Sequence, residues 1–330
     1  MSKRVEPNMD LIDFDRKARS TGKWLCGVDE AGRGPIAGPV TAAAVIFEEG
    51  QENELIRDSK KMTEKQREAA YEWIIQNARA YAIQSVGVQQ IKEKNILGAT
   101  LQAMEQAVGQ LSIQPDLVLI DGSVAPSGIL NGRAVVDGDA KSFSIAAASI
   151  LAKVTRDRIM VKWDKVFPGY GWKKNRGYGT AEHLKAINNL WPTPLHRSDF
   201  APVRDFQYPA SPTKQQIGFW GENQAAYYMI RKGARFIDRN IHVGKWGEID
   251  ILLKMGELYI VAEVKTRGPR DRYDPMEWYT KRKINHILDA TEHWFRIAGI
   301  AEYEVRIDAI VVYADQWRKA RIEHFEDIVH

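Results

Sequence analysis

The chain has 330 residues, of which 44% are hydrophobic and 27% charged; that suits one large or two ordinary domains and excludes a disordered chain. No apolar run approaches the roughly 18–20 residues of a membrane span, the N-terminus lacks a signal-peptide core, and a cytoplasmic location is expected. The net charge of +4 hints only mildly at a polyanionic partner, and the single cysteine, Cys26, excludes a cysteine-built zinc site and reads as a small buried hydrophobe.

In chain order, residues 23–47 read as two strands around a glycine-rich turn, the second being the buried run VTAAAVIF. Thr63 is a plausible N-cap for a helix reaching about Arg79, and Tyr81–Val88 alternates like a strand. Apolar spacing predicts a helix over Ile96–Leu111, and Leu117–Ile120 is a short buried strand ending at Asp121-Gly122. Ser142–Val166 is a long alanine-rich helix, residues 168–179 form a loop with glycines and aromatics, and a further helix starts near Thr180. The stretch APVRDFQYPASPT, residues 201–213, is the best linker in the chain. After it the pattern predicts a helix (214–232), three strands (235–243, 247–254, 257–265), a helix (277–298) and a strand (303–313). The division expected is therefore 1–208 and 209–330, both α/β.

Four acids of the first block lie at strand ends or just before a helix: Asp29 and Glu30 after Leu25–Val28, Asp121 after Leu117–Ile120, and Asp139 ahead of the alanine-rich helix. Such a cluster repels itself and is costly to hold for structural reasons alone. It suits hard divalent ions, Mg²⁺ or Mn²⁺, and two ions about 4 Å apart would suit phosphodiester hydrolysis. Gly32-Arg33-Gly34-Pro35 follows directly. Its glycines allow close backbone approach to a phosphate or sugar. A dinucleotide fingerprint fails, because the next glycine, Gly38, is one residue late.

The ordered blocks VDEAGRGPIAGPV, DSKKM, NILGAT, LIDG, GDA with SIAAASILAKVTRD, RGYGT and HRSDFAPV resemble the signature blocks of bacterial ribonuclease HII over about residues 20–206. The resemblance implies a ribonuclease H-like mixed sheet with flanking helices. It implies cleavage of RNA in RNA–DNA hybrids and incision 5′ to a ribonucleotide embedded in duplex DNA, leaving 3′-hydroxyl and 5′-phosphate ends. It also implies that Asp29, Glu30, Asp121 and Asp139 are the metal-binding catalytic carboxylates, with Asp139 preferred to Asp137. Gly32, Arg33 and Gly34 would read the 2′-hydroxyl, and Tyr178 would stack on the sugar beside the junction. Lys60, Lys61 and Lys153 are candidate phosphate contacts or ordinary surface charges; His196 is either structural or an aid to product release.

The second block carries Glu222 on its first helix, Asp250 in GEIDIL, and Glu263 and Lys265 in EVKTR. Glu263 and Lys265 share a face of their strand, where Asp250 and Glu263 could hold a metal and Lys265 could polarise water. GxxGE, GEIDIL, EVKTR and KINHILDA resemble the YraN family (UPF0102) over about residues 214–313. This resemblance implies a smaller, restriction-endonuclease-like α/β domain acting on DNA as a metal-dependent nuclease, or a binding module without turnover. Trp246, Trp278, Tyr279 and Trp294, with Arg267, Arg270, Arg272, Lys281, Arg282 and Lys283, suit single-stranded or flexed nucleic acid. Core packing explains Trp294 equally well.

Overall fold

The computed structural model describes residues 9–19, 23–267, 277, 279–317 and 319–329. Arg270, Arg272 and Trp278 lie outside the described residues. The chain divides into two compact units. The first comprises residues up to Val161 with Trp172–Gly179 and His196–Arg204; the second comprises Lys162–Gly171, Thr180–Leu195 and the chain from Asp205 onward. Among the described residues no helix is long and apolar enough to cross a membrane.

The first unit is built on five strands: β1 (Leu25–Ala31), β2 (Val40–Ile46), β3 (Ala80–Val86), β4 (Leu117–Asp121) and β5 (Gly132–Val135). Their order is β3-β2-β1-β4-β5. The β2–β1 and β2–β3 pairs are antiparallel, whereas β1–β4 and β4–β5 are parallel, so the sheet is mixed. Alternation along β2 splits its side chains between two cores. Ala42, Ala44 and Ile46 pack with Ala99, Ala103 and Met104 of α3 (Val88–Gly109). Ala43 and Val45 pack with Ala70 and Ile74 of α2 (Glu64–Asn77), with Leu11 of α1 (Met9–Ala18), and with the Ala146–Ala148 stretch of α4 (Phe143–Val166). Alanines on the strand and on the helix bring the two backbones close. The closest approach is at Gly27 of β1, where a Cβ would stand 2.1 Å from the carbonyl carbon of Ser144.

The helix expected from Ile96 begins at Val88 instead, and Asn95 interrupts it with φ 57° and ψ 173°. The Asn95 Oδ1 accepts the Gly98 N–H at 3.1 Å, as an N-cap does. The apolar spacing therefore marked the half that packs on the sheet and missed the turn before the cap. Helix α1 and the short strand β5 were not expected either. Thr63 is a cap as expected, in a reciprocal capping box with Gln66.

In the second unit, α6 (Ala181–Leu190) and α7 (Lys214–Arg231) precede β6 (Arg235–His242), β7 (Glu248–Met255) and β8 (Leu258–Arg267). Helix α8 (Lys281–Ile297) then leads to β9 (Val305–Gln316) and β10 (Lys319–Phe325); the helical turn α5 (Trp172–Asn175) belongs to the first unit. The sheet order is β10-β9-β8-β7-β6, with β8–β9 parallel and its other pairs antiparallel. The three consecutive strands and the later one stand where the pattern predicts; β10 is an edge strand the pattern missed. Helix α8 starts after its Thr280 cap, four residues later than expected, and buries Ile287 and Ala290 against Leu252, Val261 and Ile307. Gly221 of α7 faces β8 so closely that a Cβ would meet the Thr266 Oγ1 at 1.7 Å.

These close approaches predict the cost of a single methyl group. Gly27→Ala forces β1 away from the backbone of Ser144, which cannot swing aside as a side chain would. The expected destabilisation is about 1–3 kcal/mol or more, read as a lower urea midpoint for the first unit. An unchanged midpoint would show that the sheet and α4 are not held at this spacing.

Candidate active site

The register that sets Val28 against Ile120 in the parallel pair brings the next residue of each strand, Asp29 and Asp121, side by side. Both fall on the face covered by α4. Glu30 points to the opposite face by alternation, but the strand ends one residue later and Glu30 lines the same cavity. This cavity, of about 340 Å³, is lined by Asp29, Glu30, Gly32, Ser59, Lys60, Arg67, Asp121, Ser149, Lys153, Arg156 and Tyr178 among others. Asp139 is buried beside it, and its Oδ2 accepts a hydrogen bond from Lys60 Nζ at 2.9 Å. Asp137, the neighbouring candidate, is exposed.

Burial and mutual repulsion disfavour the charged forms of Asp29, Glu30 and Asp121. Burial raises the Asp29 carboxyl well above its ordinary range, and the charges of Glu30 and Asp121 raise it further. Burial also raises Glu30, against the lowering effect of Arg33, whose Nη1 lies 3.4 Å from Glu30 Oε1. Burial raises Asp121 despite the N–H of Gly138, which donates to its Oδ1 at 2.6 Å. Lys60 is raised chiefly by its hydrogen bond to Asp139. Among the described residues no three such side chains already surround one ligating point. Lys60 and the Gly138 N–H take up oxygens that a cation would have to share. The donor chemistry fits a hard divalent ion, since carboxylate oxygens are its preferred ligands and its charge would relieve the repulsion. Asp29, Glu30, Asp121 and Asp139 are the residues that would hold it.

Of the remaining expected residues, Tyr178 is 45% exposed at the cavity rim. Its ring lies 3.8 Å from where a Gly34 Cβ would stand. Lys153 lines the cavity but pairs with Asp157 at 2.8 Å. Lys61 is exposed, 3.7 Å from Asp58, and is absent from the lining. His196 is buried against Trp172 and pairs with Ala37 through a β-bridge; it too is outside the lining. Cys26 is wholly buried and its thiol is pushed up to about 12 by that burial. Sequence reasoning missed the buried Arg156 and Arg197, which donate to carbonyls of the turn at residues 32–39, Arg156 also to Arg176 O. It also missed Arg67, which donates to Ser59 O and Met62 O and so braces the loop carrying Lys60 and Lys61. The available signal was arginine inside an otherwise apolar helix pattern and arginine in HRSDF.

A family model described as Ribonuclease HII matches residues 26–203. The chain belongs to the ribonuclease HII family. A second model, described as Uncharacterised protein family UPF0102, matches residues 221–312, so the chain is a fusion of the two. The ribonuclease HII of Lachnoclostridium phytofermentans is 50% identical over 178 residues, covering 54% of this chain and 70% of that protein. The ribonuclease HII of Coxiella burnetii is 52% identical over 183 residues, covering 56% of this chain and 91% of that protein. The crystal structure of ribonuclease H2 from Pyrococcus horikoshii OT3 aligns with TM-score 0.48 and 26% identity, covering 55% of this chain and 96% of that one. As a ribonuclease HII, the protein is a ribonuclease H enzyme, an endonuclease acting on RNA in RNA–DNA hybrids, and the family depends on divalent metal.

In the second unit, the register that sets Ile251 against Ala262 places Asp250 opposite Glu263. Asp250 Oδ2 accepts the Val264 N–H at 2.7 Å. Glu263 is 3% exposed, and its Oε1 meets Lys265 Nζ at 3.3 Å and Lys283 Nζ at 2.8 Å. Glu222 pairs with the buried Arg239 at 2.5 Å and accepts from Asn240 at 3.2 Å. Asp250 is pushed up to about 7, first by burial, then by Glu263 and, less strongly, by Glu222. The four expected residues are thus brought together, and Lys283, Arg239 and Tyr279 join them. The Tyr279 hydroxyl is buried without a hydrogen-bond partner among the described residues, and burial followed by Glu263 and Asp250 raises its pKa. Of the aromatics, Trp246 stacks on His293 at 3.7 Å, and Trp294 packs against the core.

The raised Asp29 carboxyl has a stability consequence. A carboxyl whose folded pKa exceeds its unfolded value of about 3.9 binds its proton more tightly when folded. Its ionisation costs no stability below about pH 4 and progressively more as pH rises toward the folded value. Asp29→Asn keeps the oxygen that accepts the Glu30 N–H at 2.6 Å and removes the charge. In metal-free buffer at pH 7 the variant is expected to melt higher, by roughly 2–4 °C for each kcal/mol recovered. The gain should shrink at pH 5, and a melting point equal to or below wild type at pH 7 would contradict the electrostatic picture.

Proposed function

We propose that the first-unit cavity hydrolyses the phosphodiester on the 5′ side of a ribonucleotide, in RNA–DNA hybrids and at single ribonucleotides in duplex DNA. The observation that carries this reading is the convergence of Asp29, Glu30 and Asp121 on one cavity with Gly32 and Tyr178 at its wall. Two bound Mg²⁺ or Mn²⁺ ions would supply an activated water and charge stabilisation at the leaving oxygen. Asp29, Glu30, Asp121 and Asp139 hold and orient the metal-binding oxygens. The exposed Gly34 leaves its surface open to a sugar, and Gly32, Arg33 and Gly34 recognise the 2′-hydroxyl. Tyr178 stacks on the neighbouring sugar. Lys60, Lys61 and Lys153 contact phosphates and set the register of the duplex. Water adds to phosphorus as the P–O3′ bond breaks. The phosphate stays on the 5′ carbon of the ribonucleotide, and the leaving oxygen takes a proton to become the 3′-hydroxyl.

The working division is 1–208 for this activity and 209–330 for the second. The second unit acts as a metal-dependent DNA nuclease of restriction-endonuclease-like fold, with Glu222, Asp250 and Glu263 as acids and Lys265 as the group facing the attacked phosphate. The half-buried Asp250 opposite the buried Glu263, which two lysines reach, supports it. The setting for both activities is the cytoplasm.

A duplex holding one ribonucleotide, incubated with Mn²⁺ or Mg²⁺, is expected to be nicked 5′ to that ribonucleotide, and Asp121→Asn should lose at least ~100-fold in kcat. Survival of turnover in that variant would remove Asp121 from the metal site. Gly34→Ala meets no clash, since the nearest atom lies 3.8 Å away. It should fold normally yet lose roughly 10-fold or more in preference for a ribonucleotide over a deoxyribonucleotide; an unchanged preference would argue against sugar reading at this turn. For the second unit, branched and single-stranded DNA should be cut by the Asp121→Asn protein, and Lys265→Ala should stop that cleavage. Binding without lysine-dependent cleavage of any tested DNA would instead make the unit a docking module.

A further inference from the structure

We propose that Arg156 and Arg197 are positioning residues for ribonucleotide recognition. Arg197 aims two amides of the glycine-arginine turn at the substrate, and Arg156 fixes that turn against the segment carrying Tyr178. The proposal rests on the reading of the turn and Tyr178 as the elements that meet the sugar.

The two side chains are among the most deeply buried in the protein, each 1% exposed. Both spend their donors on backbone carbonyls. Arg197 donates from Nη2 to Gly32 O at 2.6 Å and from Nη1 to Arg33 O at 2.8 Å. It also donates from Nε to Gly38 O at 3.0 Å and from Nη2 to Pro39 O at 3.2 Å. A trans peptide holds its N–H opposite its C=O. Drawing the carbonyls of Gly32 and Arg33 onto the guanidinium therefore turns the N–H groups of Arg33 and Gly34 the other way, away from the interior. Those are the amides beside the exposed Gly34 and the Tyr178 ring.

Arg156 does a different task with the same chemistry. Its Nε donates to Pro39 O at 2.9 Å and its Nη2 to Ala37 O at 3.1 Å, at the far end of the turn. Its Nη1 donates to Arg176 O at 2.9 Å, two residues before Tyr178. A backbone hydrogen bond from Ile36 N–H to Gly177 O at 2.9 Å runs alongside. One planar guanidinium thus joins two segments that are far apart in sequence and meet at the cavity wall.

The plug explains Gly32, and close packing around it explains two further glycines. At Gly32, φ is +101° and a Cβ would stand 2.1 Å from Arg156 Nε. At Gly38, φ is +84° with Met160 Sδ at 2.3 Å, and at Gly177 φ is +85° with Ala37 O at 2.6 Å. Burial lowers Arg156 to about 10 and Arg197 to about 9, so both remain charged at neutral pH. A fork with fixed geometry is needed to satisfy several carbonyls at once; a lysine ammonium has the charge without the fork.

The test uses the full chain and a DNA duplex with one ribonucleotide. Arg197→Lys and Arg156→Lys are expected to lower kcat about 100-fold, the scale of a misplacement near 1 Å. KM should stay within about threefold, because phosphate contacts elsewhere hold the duplex. Circular dichroism and melting temperature establish that each variant is folded. The decisive readout is a double-mutant comparison. Tyr178→Ala should cost kcat much less in the Arg156→Lys background than in wild type, since the ring is already out of place there. Equal Tyr178→Ala factors in both backgrounds, or wild-type kcat in the folded lysine variants, would overturn the proposal. If Tyr178→Ala and Gly34→Ala both leave wild-type kcat and sugar preference intact, the sugar-reading role fails and the proposal fails with it, for that separate reason. Should Arg197→Lys not fold, Arg197→Gln is read in the same way; if neither folds, the arginine is a structural pin only and the positioning role is rejected.

Discussion

Parallel pairing of β1 with β4 sets Val28 against Ile120, and the site follows from that register. It puts Asp29 and Asp121 level at the carboxyl ends of adjacent strands, where open α/β sheets present their ligand-binding edge. Helix α4 then comes down on β1 at Gly27, with no room for a side chain between them. That approach covers Asp29, which is 4% exposed, and removes the water that would otherwise screen its charge. A sheet of ordinary hydrophobic pairing thereby creates an electrostatically unfavourable corner. A wider spacing would re-expose Asp29 to water, so tight packing of the core and the unfavourable burial of that acid are two results of one distance.

The two units resolve the same difficulty in different ways. In the first, Asp29, Glu30 and Asp121 all sit above their ordinary pKa range, and the nearby cations Lys60 and Arg33 each reach a single acid. Compensation is incomplete, which leaves a demand for positive charge that a divalent ion would meet. In the second, Lys265 and Lys283 both reach Glu263 while Arg239 covers Glu222. Internal cations thus stand against two of the acids, while Asp250, raised to about 7 chiefly by burial, accepts only the Val264 N–H among the described residues.

Much of this was legible in the chain. Acids directly after short buried runs marked strand ends, and the runs themselves were unambiguous because VTAAAVIF and LVLI are buried on both faces. What was not legible depended on partners distant in sequence. Arg197 meets carbonyls more than 150 residues away, as its separations of 158 to 165 show, and no local pattern distinguishes such an arginine from a surface one. Asn95 broke a helix from within, and β10 packs by pairing with β9 rather than by its own apolar content. The restriction-endonuclease-like comparison for the second unit stands on its acids and lysines, since the sheet order alone does not single out a function.

The glycines of the first motif show why residue type alone undetermines a role. Gly32 and Gly34 are two positions apart and look equivalent in GRGP, as if both existed to admit a ligand. Gly32 is instead filled from behind by Arg156 and needs a positive φ, so its lack of a side chain serves the interior. Gly34 has neither constraint: its φ lies outside the left-handed region, and the nearest atom to an added Cβ is the edge of the Tyr178 ring. Among the described residues no atom clashes with a Cβ there. In the function proposed above, the absence of a side chain leaves room for the close passage of a substrate sugar between the turn and the tyrosine. On that proposal, the contact that distinguishes ribose from deoxyribose lies at Gly34 and its N–H, with Gly32 packed one layer beneath.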